Sequence, residues 1–536
     1  MAAGTGGLHE PLLPRAAPPP PAGAQPPTPP DPAAAAGHPV ALVLEEDGSP
    51  PPRGRRHSFG GGGGGEDAPR PPPADTYRIC VFNLTKVILG AGMMAVPRAL
   101  YLLGVIPGTA LMAAIALLTH FTLARGLVWG AAAAGAKGSY GDLARRALGR
   151  RGEAALQLAV FVNCWTMLVI FLVISGDLLV GDAPDYYGLI RQLTGAAPGS
   201  PALNRPLVLG ALCCAVLLPL GSMRSMERLA AVNIIGVMAN AFFAGLMVVL
   251  AASAAAAGAA AAPPLWPQWG ELERGGGGGR LGAAAALAAT LPVVLNCFVC
   301  HQSLHPLLPS LRPYSTTRAQ SMVATSLAAA GGLYYIIAIC AVAAFGSDLR
   351  DDVLSNITAA AMAPLLRSLT AARAAALAVR AGYLLSIAGS FTLLLFPLRH
   401  VIADVALGGH DALARRWLPV SAALIASAAA TAAALPSIWG ALALVGATAT
   451  TAQAWIVPAL IILSLERAAA RRERSGGGEA GGLAGGKARA SGAARAAAVG
   501  RSCVAWLILL LGAGMFANAV LGEAARRLLP RAGPAP

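Results

Sequence analysis

The chain has 536 residues, 56% hydrophobic and only 12% charged, with a mean hydropathy of +0.61. That much apolar surface cannot be hidden inside a water-soluble globule, which excludes a soluble enzyme or binding module. A formal net charge of +15 would suit a nucleic-acid-binding protein, but Lys and Arg fall in short clusters between long apolar runs rather than on one basic module, which is the pattern of membrane topology and not of nucleic-acid binding.

Residues 1–76 are rich in Pro, Ala and Gly, with "APPPPAGAQPPTPP" and a glycine run ending at Gly65, and lack the apolar periodicity of a packed domain. They read as a disordered tail. The chain opens without a basic region followed by a short apolar core, so the first membrane helix is expected to direct insertion itself. Within the tail, "HEPLLP" (His9 to Pro14) has the form of an acidic dileucine sorting signal and "RRHS", ending at Ser58, that of a kinase site.

Apolar stretches long enough to cross a bilayer fall at about 78–102, 104–127, 154–180, 206–223, 230–252, 281–300, 322–346, 375–398, 417–434, 438–464 and 502–522. They are spans 1 to 11 below. The transmembrane domain thus runs 77–522, with a flexible linker at 466–501 and a short tail at 523–536. "GGLAGGKA" (Gly481 to Ala488) resembles a phosphate-binding loop, but it ends in Ala where Mg²⁺ needs a hydroxyl and follows no strand, so it belongs to the linker. All eight cysteines lie within or beside apolar runs, and no structural disulfide is expected.

Loops on the side of the amino-terminal tail hold most of the Lys and Arg, which predicts a cytosolic N-terminus and an outward C-terminus. The Ala-rich span 9 is the weakest, and losing it would move the C-terminal arginines inside. The sequon "NIT" at Asn356, between spans 7 and 8, falls on the predicted outer side and is the candidate glycosylation site. "NLT" at Asn83 matches the same pattern inside span 1, where no transferase reaches it.

Span 1 reads "FNLTKVILGAGMMAVPRALYLLG". Gly90 and Gly92 permit unusual dihedrals and Pro97 deletes a hydrogen bond, so the span either breaks near the bilayer centre or offers a glycine face for packing. A break at membrane depth leaves backbone groups that only protein or a polar ligand can satisfy. Span 6, "ATLPVVLNCFVCHQSLHP", carries Pro292, Asn296 and His301 within an apolar run. Interruptions five spans apart are the pointer to an inverted-repeat secondary transporter.

These segments resemble the amino acid/auxin permease family. "VFNLTKVILGAGMMAVPRAL" is similar to the family's first helix, "FLVISGDLL" (Phe171 to Leu179) to the end of the third, "FVCHQSLHPLLPSL" (Phe298 to Leu311) to the sixth, and "LLFPLRHVI" (Leu394 to Ile402) to the eighth. The resemblance covers roughly 77–522 and is closest to the plant-type vacuolar amino acid transporters and the sodium-coupled neutral amino acid transporters. It implies an all-α polytopic protein with a five-plus-five inverted repeat of the LeuT kind, spans 1 and 6 broken and an eleventh helix added. The implied function is secondary active transport of amino acids, neutral ones above all, at the vacuolar or plasma membrane, using proton or sodium gradients.

Carried over by position, the resemblance places the substrate's α-carboxylate at Gly90, Ala91, Gly92 and Met93, a choice that free amides and the dipole at a helix start also favour. The ammonium is placed at carbonyls of the span 1 break or of span 6 around Asn296, Phe298 and Val299. Asn163 and Thr166 are candidates for side-chain selectivity, although a polar residue in a membrane helix also serves as interhelical glue. Asn83, Lys86 and the span 8 hydroxyls Ser386, Ser390 and Thr392 are the ion-coupling candidates. Lys86 stands where the sodium-coupled relatives carry Asn, "NLTK" against "NLSN". A lysine near mid-depth costs about 2.5–3.5 kcal/mol on insertion scales, so it either snorkels to the cytosolic face or is paired inside the bundle. Paired with those hydroxyls, its ammonium would occupy the place of the cation, making transport sodium-independent and either proton-coupled through the lysine or facilitative.

No paired intramembrane carboxylates, Ser-His pair or zinc signature suggests an enzyme, and no cofactor is implied. Asp177, near the outer end of span 3, is the acidic residue nearest a helix core. His301 and His305 share a helix face at i and i+4, but no carboxylate or cysteine at matched spacing completes a metal shell. The expected partners are an amino acid, a proton and the lipid bilayer; nothing sets an oligomeric state. The rival reading is an amino acid sensor that binds substrate without significant flux and signals through its tails.

Overall fold

The computed structural model describes residues 75–90, 92–130, 139–182, 186–197, 199–224, 229–275, 279–434, 438–475 and 484–528. The His9–Pro14 motif, Ser58 and Ala91 lie outside the described residues.

Ten helices among the described residues are long and apolar enough to cross a membrane, and the pair Tyr77–Ile88 and Gly92–Leu103, bent by 59°, makes an eleventh span. After this broken span 1 come Val105–Val128, Tyr140–Val180, Arg205–Ser222, Ala230–Ala256, Gly282–Ser310, Thr316–Asp348, Leu369–Leu407, Trp417–Ala434, Ala441–Arg471 and Arg495–Asn518, in the order read from the sequence. Span 9, the weakest by composition, is a helix of 18 residues. Polar residues start several of these helices by taking a backbone N–H that the first turn leaves unpaired: Ser139 before span 3, in a capping box with Asp142, Asn204 before span 4, Ser315 before span 7 and Ser368 before span 8. Span 3 is longer than a bilayer needs. At Gly149 its backbone turns to φ +76°, a conformation that glycine adopts without strain, separating a polar entry helix from the membrane segment.

Spans 3 and 8 are the most enclosed, with 72% and 78% of their apolar windows buried, whereas span 11 has 17% and lies at the periphery. Span 8 packs against spans 3 and 5, and span 7 against span 5 and both halves of span 1. The centre of the bundle is therefore built around the two halves of span 1.

The helices define two faces. On one, Arg318 at the start of span 7 pairs with Asp75 (2.6 Å) and Thr76 N donates to Arg312 O (3.1 Å). On the other, Arg98 of span 1 reaches Asp351 in the span 7–8 loop and Glu271 in the span 5–6 loop. They are the Asp75 face and the Asp351 face below. Asp177 lies toward the Asp351 face, paired with Arg205 at 2.6 Å. A two-residue ladder, Gly181–Asp182 with Tyr186–Tyr187, follows span 3.

Two segments singled out in the sequence take on structure. The linker at 466–501 is helical wherever it is described, as Val457–Ser475 continues from span 10 and Ala484–Leu528 runs into span 11. Alanine dominates both arms, and Glu466 ties them together through Arg501. Asn356 is the second. Its side chain is 7% exposed, its Nδ2 donates to Asp348 O (2.9 Å), and its Oδ1 accepts from Arg350 N (3.0 Å), so the amide that a glycan would modify closes the span 7–8 loop. Asn356→Gln is expected to lower the thermal stability, and glycosidase treatment of the protein from a glycosylating cell tests whether the sequon is used. A mobility shift abolished by Asn356→Gln would show that the loop is modified before it closes.

Candidate functional site

The span 1 helix ends at Ile88. Leu89 leaves helical geometry (φ −72°, ψ 68°), Gly90 N turns back to Ile88 O (2.8 Å), and the helix resumes at Gly92. Span 6 breaks over 298–300: its first half closes at Cys297, Cys300 adopts φ −141°, and His301–Leu307 forms the second half. The two breaks meet. A Cβ on Gly92 would lie 2.4 Å from Cys297 Sγ and 3.0 Å from Cys297 Cα, so only glycine allows the second half of span 1 to start there. The Tyr334 hydroxyl of span 7 is shared between the carbonyls of Ile88 and Cys297, one from each break. Phe171 of span 3 covers Gly90, and Phe298 packs edge-on against Tyr334 with ring centroids 5.7 Å apart.

The predicted substrate residues thus divide. Gly90, Gly92, Met93, Phe298 and Val299 gather at the meeting of the breaks, with Met93, Phe298 and Val299 buried. The Asn296 side chain joins a polar cluster among spans 3, 6 and 10, where its Oδ1 and that of Asn163 both accept from the Thr450 hydroxyl (3.0 and 2.7 Å). Thr166 is half-buried, about one turn beyond Asn163. Sequence reasoning missed Cys297, Tyr334 and Phe171. No local signal marks them, because each acts through a partner more than 35 residues away or across the bundle.

Lys86 lies in the last turn before the span 1 break and is fully buried. Its three ammonium protons have three acceptors: Leu89 O at 3.2 Å, Ser386 Oγ at 2.7 Å and Ser390 Oγ at 2.7 Å. Ser386 passes the chain on to Asn240 Oδ1 of span 5 (3.0 Å). The lysine stem runs beside Gly236, where a Cβ would lie 2.8 Å from Cε, and beside Gly389. Thr392 does not join this cluster; its hydroxyl donates to Ala388 O of its own helix (2.8 Å). Asn83, one turn before Lys86, accepts from Asn233 Nδ2 of span 5 (2.9 Å).

His301 and His305 have separate surroundings. His301 Nε2 lies 2.8 Å from the Thr122 hydroxyl, while the His305 ring stacks on Tyr140 at 5.6 Å. Two cavities flank the breaks. An apolar one of about 510 Å³ opens between spans 2 and 7 and reaches Phe298. A polar one of about 330 Å³ lies toward the Asp75 face, among spans 3, 6 and 8.

Over the Asp351 face, the Arg98 pairs with Glu271 (3.2 Å) and Asp351 (3.5 Å) tie the second half of span 1 to two loops. Beside them, burial pushes the Asp352 carboxyl up to about 6, against the bond it accepts from Leu354 N; the charges of Asp177 and Asp351 push the same way and that of Arg380 opposes. The folded state therefore holds this proton more tightly than the unfolded chain, whose aspartates titrate near 3.9, so the contribution to stability grows as pH falls through about 6. The melting temperature is expected to rise between pH 7 and pH 5, and Asp352→Asn to flatten that slope. An equal slope in the variant would assign it to another group.

Residues 74–473 match the family described as transmembrane amino acid transporter protein. Among curated proteins, the chain is 28% identical over 392 residues to amino acid transporter AVT6C of Arabidopsis thaliana, covering 72% of this chain and 84% of that one. It is 26% identical over 388 residues to AVT6E of the same plant, covering 72% and 75%. Among solved structures, the fold is similar to that of the Eremococcus coleocola manganese transporter, with a TM-score of 0.51 at 14% identity over 86% of this chain and 88% of that one. With the broken spans 1 and 6 in place, that likeness makes the fold a helical transporter bundle of the LeuT kind. The family match spans most of the transmembrane domain, both breaks included, and the chain belongs to the transmembrane amino acid transporter family, a family of transporters and not of enzymes.

Proposed function

We propose that the chain is a secondary active transporter that carries neutral amino acids by alternating access around the two breaks, independently of sodium. The observation that carries this reading is the joint of the breaks, Gly92 against Cys297, with the ammonium of Lys86 held immediately beside it by Leu89 O, Ser386 and Ser390. The backbone opening the second half of span 1 at Gly92 suits the α-carboxylate, aided by the helix dipole, while Met93 N already donates to Gly90 O (3.3 Å). Backbone carbonyls at Phe298 and Val299 suit the α-ammonium; the Asn296 amide, engaged with Thr450, is left to hold spans 6 and 10 together. A fixed positive charge where a coupling cation would sit removes the need for sodium, and its proton is the coupling ion unless transport is facilitative. The family resemblance supports residence in the vacuolar or plasma membrane, and the distribution of Lys and Arg supports an Asp75 face toward the cytosol.

Purified protein in proteoliposomes, given a panel of radiolabelled amino acids, is expected to accumulate neutral ones above the rate of empty vesicles. Saturable binding without flux would replace this reading by that of a sensor.

A further inference from the structure

The polar cavity toward the Asp75 face holds two side chains whose polar atoms lack partners. Gln302 and His305, on the second half of span 6, are 5% and 6% exposed, and Gln302 Oε1 and both ring nitrogens of His305 make no hydrogen bond. Leaving such groups unpaired inside a protein costs about 1–3 kcal/mol each, so a cavity that buries them is poised for something that hydrogen-bonds to them. Gln302 lies two residues past Cys300 and His305 five, which places them about 3 and 8 Å along the helix beyond the break, on the path from the centre to the Asp75 face.

The remaining wall supplies charge. Asp404 of span 8 lines the same space, only loosely engaged by Gln157 Nε2 (3.4 Å) and His410 Nε2 (3.5 Å), and Asp142 stands close by, next to Gly141, whose Cβ would lie 3.9 Å from Asp404 Oδ2. His400 completes the lining. A carboxylate and an amide oxygen accept from an ammonium, whereas a neutral imidazole offers an N–H to a carboxylate. Both halves of a free α-amino acid are therefore complemented, in a volume of about 330 Å³ that holds a small one.

We propose that this vestibule is a second, weaker binding site for amino acids, in which the ammonium lies on Asp404 and Gln302 Oε1 and the α-carboxylate on His305. The proposal rests on the transport reading given above and adds a waypoint between the central breaks and the Asp75 face.

Saturation binding of radiolabelled L-alanine and L-glutamine to the purified full-length chain tests it. Two sites per chain are expected in the wild type. Gln302→Leu should weaken the lower-affinity site about tenfold or more while leaving the tighter one, and Asp404→Asn, which preserves volume, should do the same by removing charge alone. Gly92→Leu should do the reverse, losing the tighter site and keeping the weaker. One site per chain, lost in Gly92→Leu and unchanged in both vestibular variants, would make the vestibule a hydrated passage only and leave the central site standing. No saturable binding of either amino acid would overturn both sites together.

Discussion

Replacing Gly92 by leucine is expected to abolish transport, and alanine is expected to cut it about tenfold or more. The reason is steric and local to the joint of the breaks. Any Cβ at position 92 falls 2.4 Å from Cys297 Sγ and 3.0 Å from both Cβ and Cα of the same residue. Span 1 and span 6 must then separate, and overpacking of this kind costs about 1–3 kcal/mol, where each 1.4 kcal/mol is worth about a factor of ten. Separation also pulls Tyr334 from one of the two carbonyls it holds together. Adding Cys297→Gly to Gly92→Ala removes the sulfur and Cβ in the way but not the Cα, so flux should return in part. The same second change should not rescue Gly92→Leu. Uptake normalised to the protein in the vesicles is the measurement, and wild-type flux in Gly92→Leu would remove the breaks from the transport cycle.

Flux through the unmutated protein should be equal in sodium and in choline, and Lys86→Asn should either lose transport or gain sodium dependence. An ammonium placed at membrane depth is costly, by about 2.5–3.5 kcal/mol on insertion scales, and here it is offset by three acceptors for three protons. The asparagine variant withdraws the charge but keeps a polar side chain, leaving the Ser386 and Ser390 hydroxyls and the carbonyl of Leu89 free to coordinate a cation. Lys86→Met withdraws the charge and offers no ligand, so it should lose transport without acquiring a response to sodium. Its thermal stability should also fall, because Leu89 O is left buried without the lysine and an unsatisfied buried acceptor costs about 1–3 kcal/mol. Strong sodium stimulation of the unmutated protein would rule out the lysine as a stand-in for the cation.

The eleven spans were legible in the sequence because the requirement that sets them, some twenty apolar residues in a row, is local to each segment. The breaks were legible from two segments read together. Gly90 and Gly92 alone fitted either a break or a glycine packing face, and the interruptions at Pro292, Asn296 and His301 in span 6, five spans later, favoured the break. For Lys86 the depth left open snorkelling or pairing inside the bundle, and the fold chose the second. Part of its partnership was readable as well: Ser386 and Ser390, at i and i+4, share a helix face, whereas Thr392 is rotated about 200° from Ser390 and so turns to its own backbone.

The tertiary structure alone decided the rest, because these contacts join residues far apart in the chain. Nothing near Asn356 shows that its amide would close a loop onto Asp348 and Arg350 rather than stand open as a sequon. The Asn296 amide meets the Thr450 hydroxyl because span 10 passes there, 154 residues later. Tyr334 bridges the carbonyls of Ile88 and Cys297, and Cys297 fixes Gly92, only because spans 1, 6 and 7 meet at one point. Composition and period set what each segment must be, while the packing of one segment on another sets which of its polar groups are used up in holding the bundle and which are left for a solute.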